Sequence, residues 1–74
     1  MDTDRITADP AVMAGAPTIR GTRVTVSAVL GQLAAGSTVD EFLVDYPSLT
    51  REDVYAALAF AADSMPQERP FAAA

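Results

Sequence analysis

Thr38-Val39-Asp40-Glu41-Phe42-Leu43-Val44-Asp45-Tyr46-Pro47-Ser48-Leu49-Thr50-Arg51-Glu52-Asp53 decides the fold, because it holds one helix from start to stop and the opening of the next. A threonine followed three residues later by an acid is a capping box. The hydroxyl accepts from an amide of the first turn, and the acid reaches back to the amide of the cap. Thr38 with Glu41 and Thr50 with Asp53 both have this form, and their acids also suit the positive end of the helix dipole. Val39, Phe42, Leu43 and Tyr46 follow the i, i+3, i+4, i+7 spacing of one helical face, and Pro47 stops the run. So short a connection forces a compact helix-turn-helix shape.

Toward the C-terminus, Leu49 and Val54 are placed as a hydrophobic staple, and Val54, Ala57, Leu58 and Ala61 make the inward face of a helix that fades at Ser64, before Pro66. Toward the N-terminus, Thr25 is a good cap and Val24 with Val29 a second staple. Val26, Val29, Leu30, Leu33 and Ala34 form the stripe of a helix that Gly36 ends. The helices are thus expected at 26–35, 39–46 and 51–63. Two short strands are expected before them, at 5–8, where Pro10 pushes Asp9 out of the helical region, and at 18–20, after Pro17. Such strands do not stand alone in water, so they must lie on the helices or pair with a second copy. The expectation is one mainly α domain over residues 1–64, three helices with a short N-terminal β region, followed by a flexible tail over 65–74.

Composition narrows the chemistry. The chain has 74 residues, half of them hydrophobic, a net charge of −5, and neither histidine nor cysteine. A chain of this size buries roughly 60% of its unfolded surface, so its core is thin and a homodimer is expected to cover more of it. Disulfides, thiolate metal sites, a cysteine nucleophile and the commonest general base are all excluded. Glu41 and Asp45 lie four apart with Asp40 adjacent, yet nothing beside them forms a phosphate cradle. No metal, no cofactor, no catalytic residues and no enzyme are expected. The acidic start is followed by no long apolar run, so neither a signal peptide nor a membrane span fits, and a cytoplasmic location is expected.

Charge is divided unevenly. Residues 1–36 balance Asp2, Asp4 and Asp9 against Arg5, Arg20 and Arg23, whereas residues 37–74 set seven acids against Arg51 and Arg69 and hold the whole net charge of −5. Every basic side chain is an arginine, and two of the five lie around Gly21. Arg20, Thr22 and Arg23, with Arg51 at the start of the third helix, are therefore the DNA- or anion-binding candidates. Two readings stay open for Arg20 and Arg23, contact with phosphate or pairing with carboxylates such as Asp9 to fix the turn. At the start of the third helix, Glu52 and Asp53 beside Arg51 suit a helix cap better than a major groove. Asp45, Tyr55, Phe60 and Phe71 are the partner-interface candidates, the aromatics as anchors. The alternative is that the apolar ones are core or scattered surface residues and the acids a solvated face.

Asp9-Pro10, the run Gly15-x-Pro17-x-Ile19-Arg20-Gly21-Thr22-Arg23-Val24, Leu33-Ala34-x-Gly36, Tyr46-Pro47-x-Leu49-Thr50 and Val54-x-Ala56-Ala57-Leu58 together carry a resemblance. In that order and spacing the chain, over residues 5–62, closely resembles the small bacterial proteins grouped as domain of unknown function 433. The resemblance implies a three-helix, homeodomain-like helix-turn-helix fold with a small N-terminal strand region. It also implies an antitoxin of a type II toxin-antitoxin system, which occludes the active site of a PIN-like ribonuclease toxin and, as a dimer, binds its own operator DNA. Many members carry a second glycine and a lysine where this chain has Ala14 and Ala16, so one phosphate-capable charge is missing here. The expected role is an antitoxin-like subunit with a ribonuclease toxin as partner. The alternatives are a helix-turn-helix transcriptional autoregulator and a structural homodimer with neither activity.

Overall fold

Three threonines start the three helices. In the computed structural model, which describes residues 3–65, these are α1 (Val26–Ala34), α2 (Val39–Asp45) and α3 (Arg51–Ser64). The Thr25 hydroxyl accepts from Ala28 N at 2.9 Å. Both capping boxes are closed. Thr38 Oγ1 accepts from Glu41 N at 3.1 Å while Glu41 Oε1 accepts from Thr38 N at 2.9 Å, and Thr50 and Asp53 exchange the same two bonds at 3.2 and 2.9 Å. Each cap satisfies amides that a helix start otherwise leaves to water, a gain of about 1 kcal/mol per cap. Gly36 closes α1 with a φ of +109°, a conformation that a side chain resists.

Ahead of α1 the chain builds a small sheet. A 3-10 turn (Thr3–Arg5) leads into β1 (Ile6–Thr7), which pairs antiparallel with β2 (Thr18–Ile19) in the register Ile6 opposite Ile19 and Thr7 opposite Thr18. The strands are shorter than the spans expected at 5–8 and 18–20. Arg5 belongs to the 3-10 turn, although its carbonyl still accepts from Arg20 N at 2.7 Å. The segment entering α1 lies along the other side of β2: Ile19 N donates to Val24 O and Val26 N to Pro17 O, both at 2.9 Å, and Thr18 bridges Thr25. The strands are therefore paired within the chain and run directly into the first helix. Ile19 sits at the sheet's contact with the core, 2% exposed.

That core is Ile19, Val26, Val29, Phe42, Leu49, Val54 and Ala57, so every helix and β2 contribute to it. Phe42 lies at its centre, 1% exposed, with the ring of Tyr46 stacked on it at 4.6 Å between centroids. Both staple residues of α3, Leu49 and Val54, are buried together. Leu58, expected on the inward face of α3, is instead exposed. The buried positions are Asp53, Val54, Ala56 and Ala57, a face rotated toward the N-terminal segment that α3 also packs against. Phe60, one of the interface candidates, is partly buried and packs against the core.

Between the strands, Met13 and Ala14 hold φ values of 50° and 57° ahead of Gly15 at 87°. An L side chain in this left-handed region crowds the following carbonyl, at roughly 1–2 kcal/mol per residue. Ala14→Gly is expected to relieve part of that strain, offset by the greater freedom of glycine in the unfolded chain. The net gain is about 0.5–1 kcal/mol, seen as a rise in Tm of several degrees in a thermal melt.

Candidate functional site

The turn Ile19-Arg20-Gly21-Thr22 shapes the first candidate surface. The Ile19 carbonyl accepts from Thr22 N at 3.0 Å, with Gly21 at a φ of +81° in the third position, which a type II turn reserves for glycine. The Thr22 hydroxyl fastens it, donating to Ile19 O at 2.8 Å and accepting from Val24 N at 3.0 Å. Its only proton is thus committed, leaving the Thr22 side chain no donor for an anion. Its role here is to hold the loop that presents its neighbours.

Those neighbours, Arg20 and Arg23, are both exposed and both line a groove of about 540 Å³, which Thr7, Asp9, Val12 and Thr18 also line. Arg20 Nε donates to the backbone carbonyl of Asp4, which holds the stem of the guanidinium. Of the two open readings, pairing with Asp9 is not made: Asp9 Oδ1 accepts from Ala11 N at 2.9 Å, capping its own turn. Among the described residues neither Arg20 nor Arg23 forms an ion pair with a carboxylate.

Arg51 is placed elsewhere, at the first position of α3, and is paired with Asp40 of α2. Hydrogen bonding to Asp40, then to the Tyr55 hydroxyl, raises its pKa above the ordinary value, so its charge is engaged within the protein. The structure therefore brings Arg20, Thr22 and Arg23 together and leaves Arg51 out of their groove.

The remaining arginine of the described residues makes a contact that no local pattern signals. Arg5 Nη1 lies 2.9 Å from Asp53 Oδ1, across 48 residues of sequence. Asp53 is buried, and burial by itself pushes its carboxyl up. The Thr50 amide, the Arg5 guanidinium and the Thr50 hydroxyl together outweigh that and hold its pKa below the ordinary value. One carboxylate thus caps α3 with one oxygen and straps the N-terminal segment to it with the other.

The second candidate surface is the outer side of α3. From Val54 to Ala62 this helix carries no charged side chain on any face. Its inner side fills the core, and the outer side exposes Tyr55 (52%), Leu58 (39%) and, past Ala62, Met65 (64%). The spacing of 3 and 4 residues puts Tyr55, Leu58 and Ala62 on one stripe, and Met65 is exposed just past the helix end. Exposed acids lie at both ends of this apolar stretch, Glu52 and Asp63, and a further exposed acid, Asp45, ends α2. Val44 beside Asp45 is also exposed. Phe71, a further interface candidate, and the tail beyond residue 65 lie outside the described residues. None of the helices among those residues is long and apolar enough to cross a membrane.

Comparison with known proteins agrees with this architecture. Residues 6–61 match the family described as Protein of unknown function (DUF433). The uncharacterized protein y4eO of Sinorhizobium fredii (strain NBRC 101917 / NGR234) is 39% identical over 56 residues, 76% of this chain and 25% of that protein. A DUF433 member protein from Anabaena variabilis ATCC 29413, solved by crystallography at 2.00 Å, is similar with a TM-score of 0.78 and 33% identity, over 81% of this chain and 59% of that one. The chain thus spans a quarter of the length of the first relative and under two thirds of the second.

Proposed function

The chain belongs to the DUF433 family, and from that premise we propose that it is a non-catalytic, antitoxin-like subunit that binds and neutralises a PIN-like ribonuclease toxin in the cytoplasm. The observation that carries this reading is the outer face of α3. A helix that is apolar all round is normally covered all round, yet Tyr55 and Leu58 stand exposed on the outer side of this one. The exposed acids Glu52 and Asp63 of the same helix, with Asp45 on α2, suit a partner that attracts RNA and is therefore basic.

Co-expression with the neighbouring reading frame, followed by purification through a tag on this chain, tests the proposal. A stoichiometric ribonuclease complex and relief of its growth defect are expected. Tyr55→Asp with Leu58→Asp is expected to abolish both, because two charges placed in a desolvated contact cost well over 2 kcal/mol, while the exposed sites leave the helix folded. Recovery of the chain alone, with no relief of the defect, overturns the reading.

The second reading, a helix-turn-helix autoregulator, is favoured by Arg20 and Arg23, whose charges no carboxylate among the described residues neutralises. Against it, the first turn of α3 offers Glu52 and Asp53, and Arg51 is engaged by Asp40. A mobility shift on the gene's own upstream DNA separates the two. In the third reading the α3 stripe is closed by a second copy, and light scattering would find a dimer that ignores both ribonuclease and DNA.

A further inference from the structure

We infer that the Arg20/Arg23 groove is a carboxylate-binding site that takes one acidic side chain, or the free chain end, of a partner polypeptide. This deepens the protein-binding reading and rests on it for the nature of the partner, while the site itself stands on its own geometry.

Three observations converge on it. First, the groove is of a size that holds a few residues of peptide, about 540 Å³. Second, the loop and the Arg20 donors are in place before any ligand arrives. The loop is locked by the Thr22 hydroxyl and by Gly21, and the Arg20 stem is held by the Asp4 carbonyl. The amides of Gly21 and Arg23 donate to no acceptor among the described residues. A planar guanidinium fork matches the two oxygens of a carboxylate, and donors already fixed lose little freedom on binding. Third, among the described residues the arginines without a carboxylate partner are the two of this groove. Arg5 and Arg51 are engaged by Asp53 and Asp40, and the groove itself contains Asp9, with Asp4 close by on the Arg20 stem. A duplex presents one phosphate per about 1.7 Å of axis, so its backbone would soon meet those acids and the acidic helices. A single carboxylate faces Asp9 alone, against the two arginines that line the same groove.

The test is an NMR titration of the full chain at low salt, observing the Nε–H signals of Arg20 and Arg23 and the amides of Gly21 and Arg23. The probes are acetyl-Ala-Gly-Glu-Gly-Ala-amide, acetyl-Ala-Gly-Gly-Ala with a free C-terminus, the neutral Gln counterpart of the first, and a short DNA duplex. Saturable shifts at these signals with either carboxylate peptide and none with the Gln peptide are expected, the tighter of the two naming side chain or chain end as the source. Arg23→Gln is expected to weaken binding about tenfold, and Arg23→Lys less. Among the described residues Arg23 bonds no carboxylate, so the variant tests the site and not folding. Absence of shifts with both carboxylate peptides, equal shifts with the Gln peptide, or displacement of a bound peptide by DNA at equal concentration overturns the assignment. The titration needs no ribonuclease, so its failure is distinct from failure of the co-purification.

Discussion

Phe42→Ala is expected to unfold most of the protein at physiological temperature. Phe42 is 1% exposed at the point where all three helices meet β2, and its ring also carries the stacked Tyr46. Deleting a buried phenylalanine side chain costs about 3–5 kcal/mol from lost burial and the cavity left behind, and loss of the stacked pair adds to that. At roughly 0.05–0.15 kcal/mol per residue, a chain of this length has a total of only about 4–11 kcal/mol to lose. Urea unfolding followed by circular dichroism measures the cost directly. A drop in stability below about 1 kcal/mol would mean that the ring does not sit in the core described. Phe42→Leu keeps most of the volume and is expected to remain folded, which separates cavity formation from any effect on chain synthesis.

The elements that could be read from sequence are those whose signals are local. Thr25, Thr38 and Thr50 mark the helix starts because a cap is made by residues three positions apart, and each cap forms the bond its residue types require. Leu58 went the other way for a physical reason. Apolar periodicity fixes which side of a helix faces inward only when polar residues mark the other side, and from Val54 to Ala62 none is charged and nearly all are equally apolar. The inward side is instead chosen by long-range packing, which buries Asp53, Val54, Ala56 and Ala57. The left-handed turn at Met13 and Ala14 was equally illegible, since only Gly15 announces it.

The candidate site divides along the same line. Arg20 and Arg23 stood out because they are close in sequence, and the structure sets them on one groove. Thr22 shares their motif but spends its proton on Ile19 O, which only coordinates reveal. Arg51 carries the same charge as Arg20, yet a partner eleven residues away, Asp40, takes it up. Arg5 and Asp53 lie too far apart in the chain for any pattern of spacing to pair them.

That last pair gives the second large effect. Asp53→Asn is expected to cost about 2 kcal/mol, because a carboxylate that is 12% exposed loses a charge-assisted bond to Arg5 and must present an amide donor to another donor. Arg5→Ala is expected to cost less, since Arg5 is 37% exposed and solvent screens its share, while Thr50 still satisfies the carboxylate. The pH dependence follows from the direction of the shift. The folded-state pKa of Asp53 lies below its unfolded value, so between the two the unfolded chain binds more protons and stability rises with pH. The contribution is complete above about pH 4, the unfolded carboxyl range, and is lost as the pH falls through the lower folded value. Urea midpoints measured from pH 2.5 to pH 7 are therefore expected to fall at the acid end more steeply in the natural protein than in Asp53→Asn. Parallel profiles would show that Asp53 is not the titrating group. Because this carboxylate joins the N-terminal segment, where the Asp4 carbonyl anchors Arg20, to the helix that presents Tyr55 and Leu58, its loss is expected to loosen both candidate surfaces together. Faster amide exchange at Thr7 and Arg20 in Asp53→Asn, with α1 still protected, is the signature that distinguishes this strap from a cap acting on α3 alone.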